Sequence, residues 1–535
     1  MFKEFIFNIL NLFYSTNLYQ KVFLRKTFNI NPILNLQLFS PMYFVGHSVL
    51  AGEFNILGQL YQINDFKNLA VLNSKEIEFI HRFAWLPNFS VLQTVEAAAK
   101  SVYLIENWLN QYSEFDEKVW DLSVLAERVF HIIINYNFLM RSNNTVGMSK
   151  LDKFLTVQIN HLLNAYKKFG VLNDFHVAKA LIAVSFVKDK EIDKLLLEAG
   201  FTVLKTVIKE GILADGGHIS RNPSFTLDCL QNILIIYYML KDKGVYDVTF
   251  LRVTIDKITN FIRTMRHPNG TLGVFNGGHE GGKRHIDFLL SLCQNSSQAS
   301  VHLRASNYTR FQGKEAMIIV DVGAPTKADN ALLSFELSIQ NNKLITNLGK
   351  NFKTDKNNIL NQGLFGRLSY SGLIIKNYNN EIMFFNFKPS NIKQKRRTEE
   401  SWEILEMHYI HEQVPVFDYF HTIYISRSTP THILSEDYLN FKMPVQTSIK
   451  EAFLRIHLSP QIKDLELLKH NHALLITMAQ VEYLFVSCDN PMQISKNIYA
   501  GELGLLQPCY TIDIPFNLQN KIVKNEWNIS TTIVE

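Results

Sequence analysis

The stretch DGGHISRNPSFTLD, Asp215 to Asp228, decides how the first half of this chain is read. Its diglycine tolerates positive φ and stops a helix, and Asn222-Pro223 opens the next element. Upstream, EIDKLLLEAGFTVLKTVIKEGIL carries apolar residues at three- and four-residue spacing, and LDCLQNILIIYYMLKDKG continues the pattern downstream. The loop is therefore a corner between two helices. Stop and start signals account for Gly216, Gly217 and Pro223. They leave His218 and Arg221 unexplained, because an exposed corner accepts any polar residue. A histidine titrates near neutral pH, and an arginine grips a carboxylate through two parallel donors. This corner is a candidate ligand site.

Working outward, helical periodicity runs from about Ser74 to Met265, through VLQTVEAAAKSVYLIENWLNQY, VWDLSVLAERVFHIIINYNFLM, FLTVQINHLLNAYKKFG and FHVAKALIAVSFV. Short breaks with Asn, Asp and Gly separate these runs, which predicts an antiparallel all-α array. After about Ser300 the texture changes to short runs rich in Ile, Val, Phe and Tyr, such as EAMIIVDVG, LLSFELSIQ, FHTIYISRS and VEYLFVS. These predict an antiparallel β-sandwich of about ten or more strands. Helices first and strands second, without alternation, predict two packed domains. The expected division is 1–285 helical, 286–304 linker and 305–535 β.

At 535 residues the chain has room for two or three domains, and 47% hydrophobic with 19% charged residues is ordinary for a globular protein. A net charge of +5 tolerates a polyanionic ligand but argues against a nucleic-acid partner. None of the four cysteines falls in a CxxC pair, so neither a thiolate metal site nor a redox motif is expected. The N-terminal MFKEFIFNILNLFYSTNLYQ is broken by Lys3, Glu4, Asn8 and Asn11, and reads as an amphipathic helix with no clear export signal. No apolar run reaches membrane-spanning length.

Other polar positions have plain structural readings beside functional ones. Asn160 and His161 lie in a predicted helix, where a lone histidine is more often a satisfied structural residue. HPNGTLGVFNGGHEGG holds His267, Asn276, His279 and Glu280 in a turn-rich loop, without the helix-opening glycine pattern of a phosphate cradle. His408 and His411 are three apart on a predicted strand and so face opposite sides. Lys393, Lys395, Arg396 and Arg397 form a basic cluster, read as a solvated loop that could also attract polyanions.

The order of these motifs resembles the heparinase II/III family of polysaccharide lyases, in particular its compact bacterial branch. The matching stretches are HRFAWLPNF, WLNQY, QINHLLNA, LADGGHISRNPSFTLDCL, FIRTMRHPNGTLGVFNG, LLSFELS, RIHLSP and NIYAGELGLLQPCYTIDI. The resemblance implies an incomplete (α/α) toroid followed by a large antiparallel β-sandwich. It also implies β-elimination on a uronic-acid-containing polysaccharide: loss of the proton beside the uronate carboxylate, with the enolate stabilised and the leaving oxygen protonated. By the same resemblance Asn160, His161, His218 and Tyr370 are the expected catalytic residues, and Arg221, Asn222 and Asn276 the substrate-binding ones. The loop would then form one wall of an anionic sugar groove.

Two positions depart from the family pattern. Relatives carry a tyrosine just after the loop proline, where this chain has Phe225, and a histidine in the sandwich segment that here reads Leu368-Ser369-Tyr370-Ser371-Gly372. A phenylalanine transfers no proton. Some relatives hold a metal in the sandwich; His408 is the candidate ligand here, but Asn377 or Asn379 stands where an acid is expected, so no metal and no cofactor are expected. The alternatives are a noncatalytic acidic-glycan-binding protein on the same scaffold, or a glycoside hydrolase. The motif loops are rich in His, Asn and Arg and lack an obvious carboxylate pair, which counts against the hydrolase. The resemblance places the protein in the cell envelope or periplasm, and the N-terminus leaves the cytoplasm as the alternative.

Overall fold

The computed structural model describes residues 43–67, 69–166, 174–187, 192–245, 248–295, 297–324, 332–349, 367–383, 391–413, 416–442, 449–469, 471–488 and 490–531, with residues 13, 14, 16 and 19 before them. The amphipathic helix expected at the N-terminus lies largely outside these residues.

The architecture is the expected one, helical and then β: an incomplete (α/α) toroid followed by a large antiparallel sandwich. Helices start where polar side chains satisfy the orphan N–H groups of the first turn. Asp121 accepts from the Ser123 and Val124 N–H groups at the head of Leu122–Leu139, and Asp193 from Leu196 at the head of Lys194–Gly211. Asn73 and Glu76 form a reciprocal capping box on Ser74–His81. One element escaped the periodicity reading, the hairpin Glu53–Ile56 with Gln59–Gln62. Its two-residue turn, Leu57-Gly58, has positive φ at both positions, the geometry that matches strand twist.

The chain forms two compact units, one of Met1–Ile212 with Gln231–Ile255 and one of Leu213–Leu230 with Asp256–Glu535. The corner Asp215–Asp228 thus folds with the strands, although periodicity places it among helices. The helix Pro223–Asp242 begins in the second unit and continues in the first.

In the second unit the eight-stranded sheet begins at the edge strand Ile462–Lys469 and ends at the edge strand Ile392–Thr398. The nine-stranded sheet runs from Gln493–Tyr499 to His302–Leu303, with Gly372–Lys376 paired to Glu451–Leu458 off the main path. Strands such as Phe417–Ser426 and His432–Phe441 alternate buried and half-buried residues, the pattern of a sheet with one face on the core. Ala316–Asp321 and Phe335–Ile339 are buried at every position. One of their faces, with Ile318, Val320, Leu337 and Ile339, joins the sandwich core.

The other face of Phe335–Ile339 carries an acid inside an apolar strand, and that acid anchors the segment after Met265. Glu336 Oε1 accepts from the Val274, Asn347 and Thr346 donors at 3.1, 2.9 and 3.0 Å. Its Oε2 lies 2.9 Å from His267 Nε2 and 3.1 Å from Lys343 Nζ. Lys343 also reaches Glu280 Oε1 at 3.2 Å, and the Tyr499 hydroxyl donates to the same oxygen. Burial raises the Glu336 carboxyl, but Lys343 and His267 outweigh it and bring the pKa to about 2. Burial, reinforced by Lys343, lowers His267 to about 4. His267 is therefore neutral at pH 7; its Nε2–H donates to Glu336 and its Nδ1 accepts from Ser338 Oγ at 2.7 Å.

This network predicts a specific acid sensitivity. Both folded pKa values are depressed, so both groups contribute stability at neutral pH that disappears on acidification. The His267 share fades between 6.5 and about 4 and the Glu336 share between 4.5 and about 2. Glu336→Gln leaves Lys343 buried without its full charge partner, and urea unfolding at pH 7 should show a loss of about 3–5 kcal/mol. The variant should also lose the Glu336 part of the acid dependence. A change below about 1 kcal/mol would contradict the anchoring role.

Candidate functional site

The corner begins with Asp215, whose Oδ2 accepts the Ala305 and Ser306 N–H groups, both at 2.8 Å, while its Oδ1 accepts the Ser306 hydroxyl at 2.6 Å. Asp215 therefore ties the start of the corner to the segment that leads into strand Tyr308–Gln312. Gly216, at φ +90, runs so close to the Lys257 carbonyl that no side chain fits. This close approach, and not only helix termination, requires the glycine.

Arg221 sits at the centre. It is buried, and its backbone is left-handed at φ 57, a conformation a non-glycine residue keeps only under outside constraint. Its guanidinium supplies that constraint: Nη2 pairs with Asp321, Nε donates to Ser306 O at 3.0 Å and Nη1 to Ala324 O at 2.6 Å. The Tyr308 ring lies 5.4 Å from the guanidinium carbon, and the Tyr308 hydroxyl donates to the Arg221 carbonyl at 2.5 Å. Gly323 leaves the space that the guanidinium occupies.

Asn276, also left-handed at φ 51, binds the same group of residues. Its Nδ2 lies 2.7 Å from the Tyr308 hydroxyl, 3.1 Å from Asp321 Oδ2 and 3.3 Å from the Arg221 carbonyl. Asn222 caps the helix Pro223–Asp242, accepting the Phe225 N–H at 3.0 Å and donating to the Asn276 carbonyl at 3.2 Å. The Tyr370 hydroxyl accepts the N–H of Gly277 at 3.0 Å. The two motif stretches and Tyr370 are thus joined in one hydrogen-bonded assembly within the second unit.

Arg221 and Asn276 were expected to bind substrate. In the structure their side chains contact Asp321, Tyr308 and backbone carbonyls, contacts that hold the loop. Tyr370 is 5% exposed, its ring packed with Ile374 and Phe453, and the backbone contact at Gly277 fixes its hydroxyl. His457 of RIHLSP, which the sequence reading passed over, pins the neighbouring segment: its Nε2 donates to Leu368 O at 2.8 Å and its N–H to Ser371 Oγ at 2.9 Å.

His218 differs from these anchors. Its Nδ1 accepts the Ser220 N–H at 3.1 Å and lies 2.9 Å from Ser220 Oγ. A backbone donor on Nδ1 puts the ring proton on Nε2. Burial lowers the pKa to about 4, so the ring is neutral at pH 7 and Nε2–H is a donor with no hydrogen bond among the described residues. Phe225 stands edge-on to it with centroids 4.6 Å apart and is 44% exposed. The arrangement can donate a hydrogen bond beside an apolar ring.

Asn160 and His161 lie in the first unit and are buried, at 4% and 2% exposure. Asn160 Nδ2 donates to Thr156 O one turn back. His161 is enclosed by Tyr14, Tyr19, Phe115 and Trp120, with its Nδ1 2.9 Å from the Tyr19 hydroxyl. Burial, aided by Arg128, lowers its pKa to about 3. His408 stacks on Phe420 at 4.1 Å and lies 3.7 Å from Asp418. Among the described residues no group of three or more His, Cys, Asp or Glu is placed to hold a metal, and no helix is long and apolar enough to cross a membrane.

No family profile matches the chain. FtsZ-localized protein C of Caulobacter vibrioides is 24% identical over 313 residues, which is 57% of this chain; the chain spans about half, 54%, of that relative. Among solved structures, the heparan sulfate lyase HepC of Pedobacter heparinus is similar over 98% of this chain and 88% of its own, with a TM-score of 0.59 at 13% identity. A heparinase III structure is similar over 97% and 92%, with a TM-score of 0.68 at 10% identity. The chain therefore has a heparinase II/III-like, polysaccharide-lyase-like fold.

Positioning by Arg221 has a measurable signature. Arg221→Ala leaves Asp321 buried and uncompensated, so denaturant unfolding should show a loss of about 3–5 kcal/mol. Arg221→Lys, which keeps the charge but not the planar fork, should recover only part of it. An exposed sugar-binding arginine would leave stability within about 0.5 kcal/mol of the wild type, and that result would restore the substrate-contact role.

Proposed function

We propose that the chain acts on a uronic-acid-containing polysaccharide by β-elimination. The observation that carries this reading is the neutral, Nε2-protonated His218, held beside exposed Phe225 on a loop fixed by buried contacts. In β-elimination the proton next to the uronate carboxylate is too weakly acidic to leave unless the developing enolate oxygen is stabilised. A fixed neutral donor does this at little reorganisation cost. His218 would hold that oxygen, and Phe225 would pack against the sugar ring's apolar face.

Proton transfer falls to Tyr370, with its hydroxyl anchored to the Gly277 N–H. That N–H fixes the oxygen, which as phenolate would take the proton beside the uronate carboxylate and pass it to the departing glycosidic oxygen, so that the proton lost at carbon is the one gained at oxygen. Asn160 and His161 keep their catalytic assignment on the resemblance alone. Asn222 would keep its substrate-binding role through its neighbours on the cap. The envelope or periplasm is the compartment where such a polysaccharide is met.

A second reading, a noncatalytic glycan-binding protein, draws on Phe225, which has no proton to transfer, and on the burial of Tyr370. One assay separates the two. The protein is incubated with a panel of uronate polysaccharides and the ultraviolet absorbance of the unsaturated product is followed. Elimination is expected, falling about a hundredfold or more in His218→Ala and in Tyr370→Phe with the fold intact. Binding without any unsaturated product would establish the second reading. Turnover unchanged in Tyr370→Phe would remove Tyr370 from proton transfer.

A further inference from the structure

The sandwich has a second polar feature beside the corner Asp215–Asp228, which shares Tyr308 with it. Ile392–Thr398 ends one sheet and His302–Leu303 ends the other. The first edge packs on Tyr308–Gln312, the strand next to the second edge: Thr309 Oγ1 donates to Gln394 Oε1 at 2.6 Å, and Arg396 donates to the Arg310 carbonyl with its guanidinium 5.1 Å over Phe311. Alternation along the edge strand turns Gln394 and Arg396 to this side, and Lys393 and Lys395 to the other face. Beside the contact lies a cavity of ≈ 270 Å³ lined by His302, Arg304, Asn307, Tyr308 and Gln394.

No carboxylate lines this cavity. Arg304 is exposed and has no ion pair among the described residues, and Arg396 Nε is buried with no hydrogen-bond partner among them. The acid that acts on Arg396 is Glu403, which itself faces Arg427 at 3.6 Å. Next along the strand, Arg397 is paired with Glu399 and Glu406. Arg304 therefore leaves one unneutralised positive charge in the lining, and a concave basic site concentrates anions.

We propose that this groove binds an anionic stretch of polysaccharide, with Arg304 and His302 taking its carboxylate or sulfate oxygens. The proposal takes its ligand class from the function proposed above and adds a subsite apart from the His218 loop. Asn307 and Gln394 supply amides for sugar hydroxyls. The single aromatic residue in the lining, Tyr308, is 1% exposed and offers no stacking platform, which favours a glycan over a single-stranded nucleic acid. The groups facing His302 are Arg304 on its own segment, Thr309 on the adjoining strand and Gln394 across the cavity, with Arg396 close enough to act on its charge. Burial and the two arginines lower its pKa, so a bound anion should raise it.

The test measures binding of a heparin-derived hexasaccharide at low salt by the full chain, together with an NMR titration of His302. Arg304→Ser is at an exposed position and should fold; it should weaken binding about tenfold, whereas Lys393→Ser/Lys395→Ser, on the opposite face, should change it less than about twofold. The hexasaccharide should raise the His302 pKa. Unchanged affinity in Arg304→Ser, with the wild type binding, would overturn the groove and leave the elimination reading intact. Weakened binding with no unsaturated product from any substrate would uphold the groove and sink the elimination reading. A wild type that ignores the hexasaccharide, or prefers a single-stranded oligonucleotide of equal charge, would overturn the glycan assignment.

Discussion

The ion pair between Arg221 and Asp321 is the constraint on which the rest of the candidate site depends. Asp321 ends a strand that is buried along its whole length, and a carboxylate there must meet a cation or give up its charge. Arg221 meets it from a left-handed backbone at φ 57, and the turn there directs the neighbouring residues. Asn222 becomes a helix cap, and His218 folds back on Ser220. The strain at Arg221 and Asn276 persists because each is held by several contacts from the same sheet. Glu336 does similar work one strand further on, holding the segment after Met265 against the sandwich.

Fold class was legible because periodicity is a property of whole segments. Apolar spacing of three and four gives way to short β-branched runs, and the structure follows that change. The hairpin at Glu53–Gln62 was not legible, since four-residue strands carry too little pattern. Within the site, the sequence identified His218 and Arg221 as residues in excess of what a corner needs. It could not say what Arg221 was for, because its partner lies one hundred positions along the chain. A signal for that partner existed: EAMIIVDVG and LLSFELS each place an acid in an apolar strand, and such an acid requires a buried cation or several donors. Reading those acids as obligations, and not as punctuation, would have linked Arg221 to Asp321 and His267 to Glu336.

The chemistry follows from which groups these anchors consume. Arg221, Asn276, His267 and His457 each contact several protein partners that hold their side chains in place. His218 keeps a donor in hand. Its tautomer is set by a backbone N–H and its charge state by burial, so the loop presents a neutral imidazole donor in place of a titrating base. That is the group an elimination needs at a developing enolate and the group a glycan-binding protein can use for a sugar oxygen. The fold shared with heparinase III and a heparan sulfate lyase agrees with either use.

The most direct measurement of this account is an NMR titration of His218 with ring nitrogen assignment. The account predicts an Nε2-protonated neutral ring at pH 7 that takes up its second proton only near pH 4, with Nδ1 showing the shift of an acceptor. A ring that titrates near its ordinary value of 6.5, or that carries its neutral-state proton on Nδ1, would contradict it.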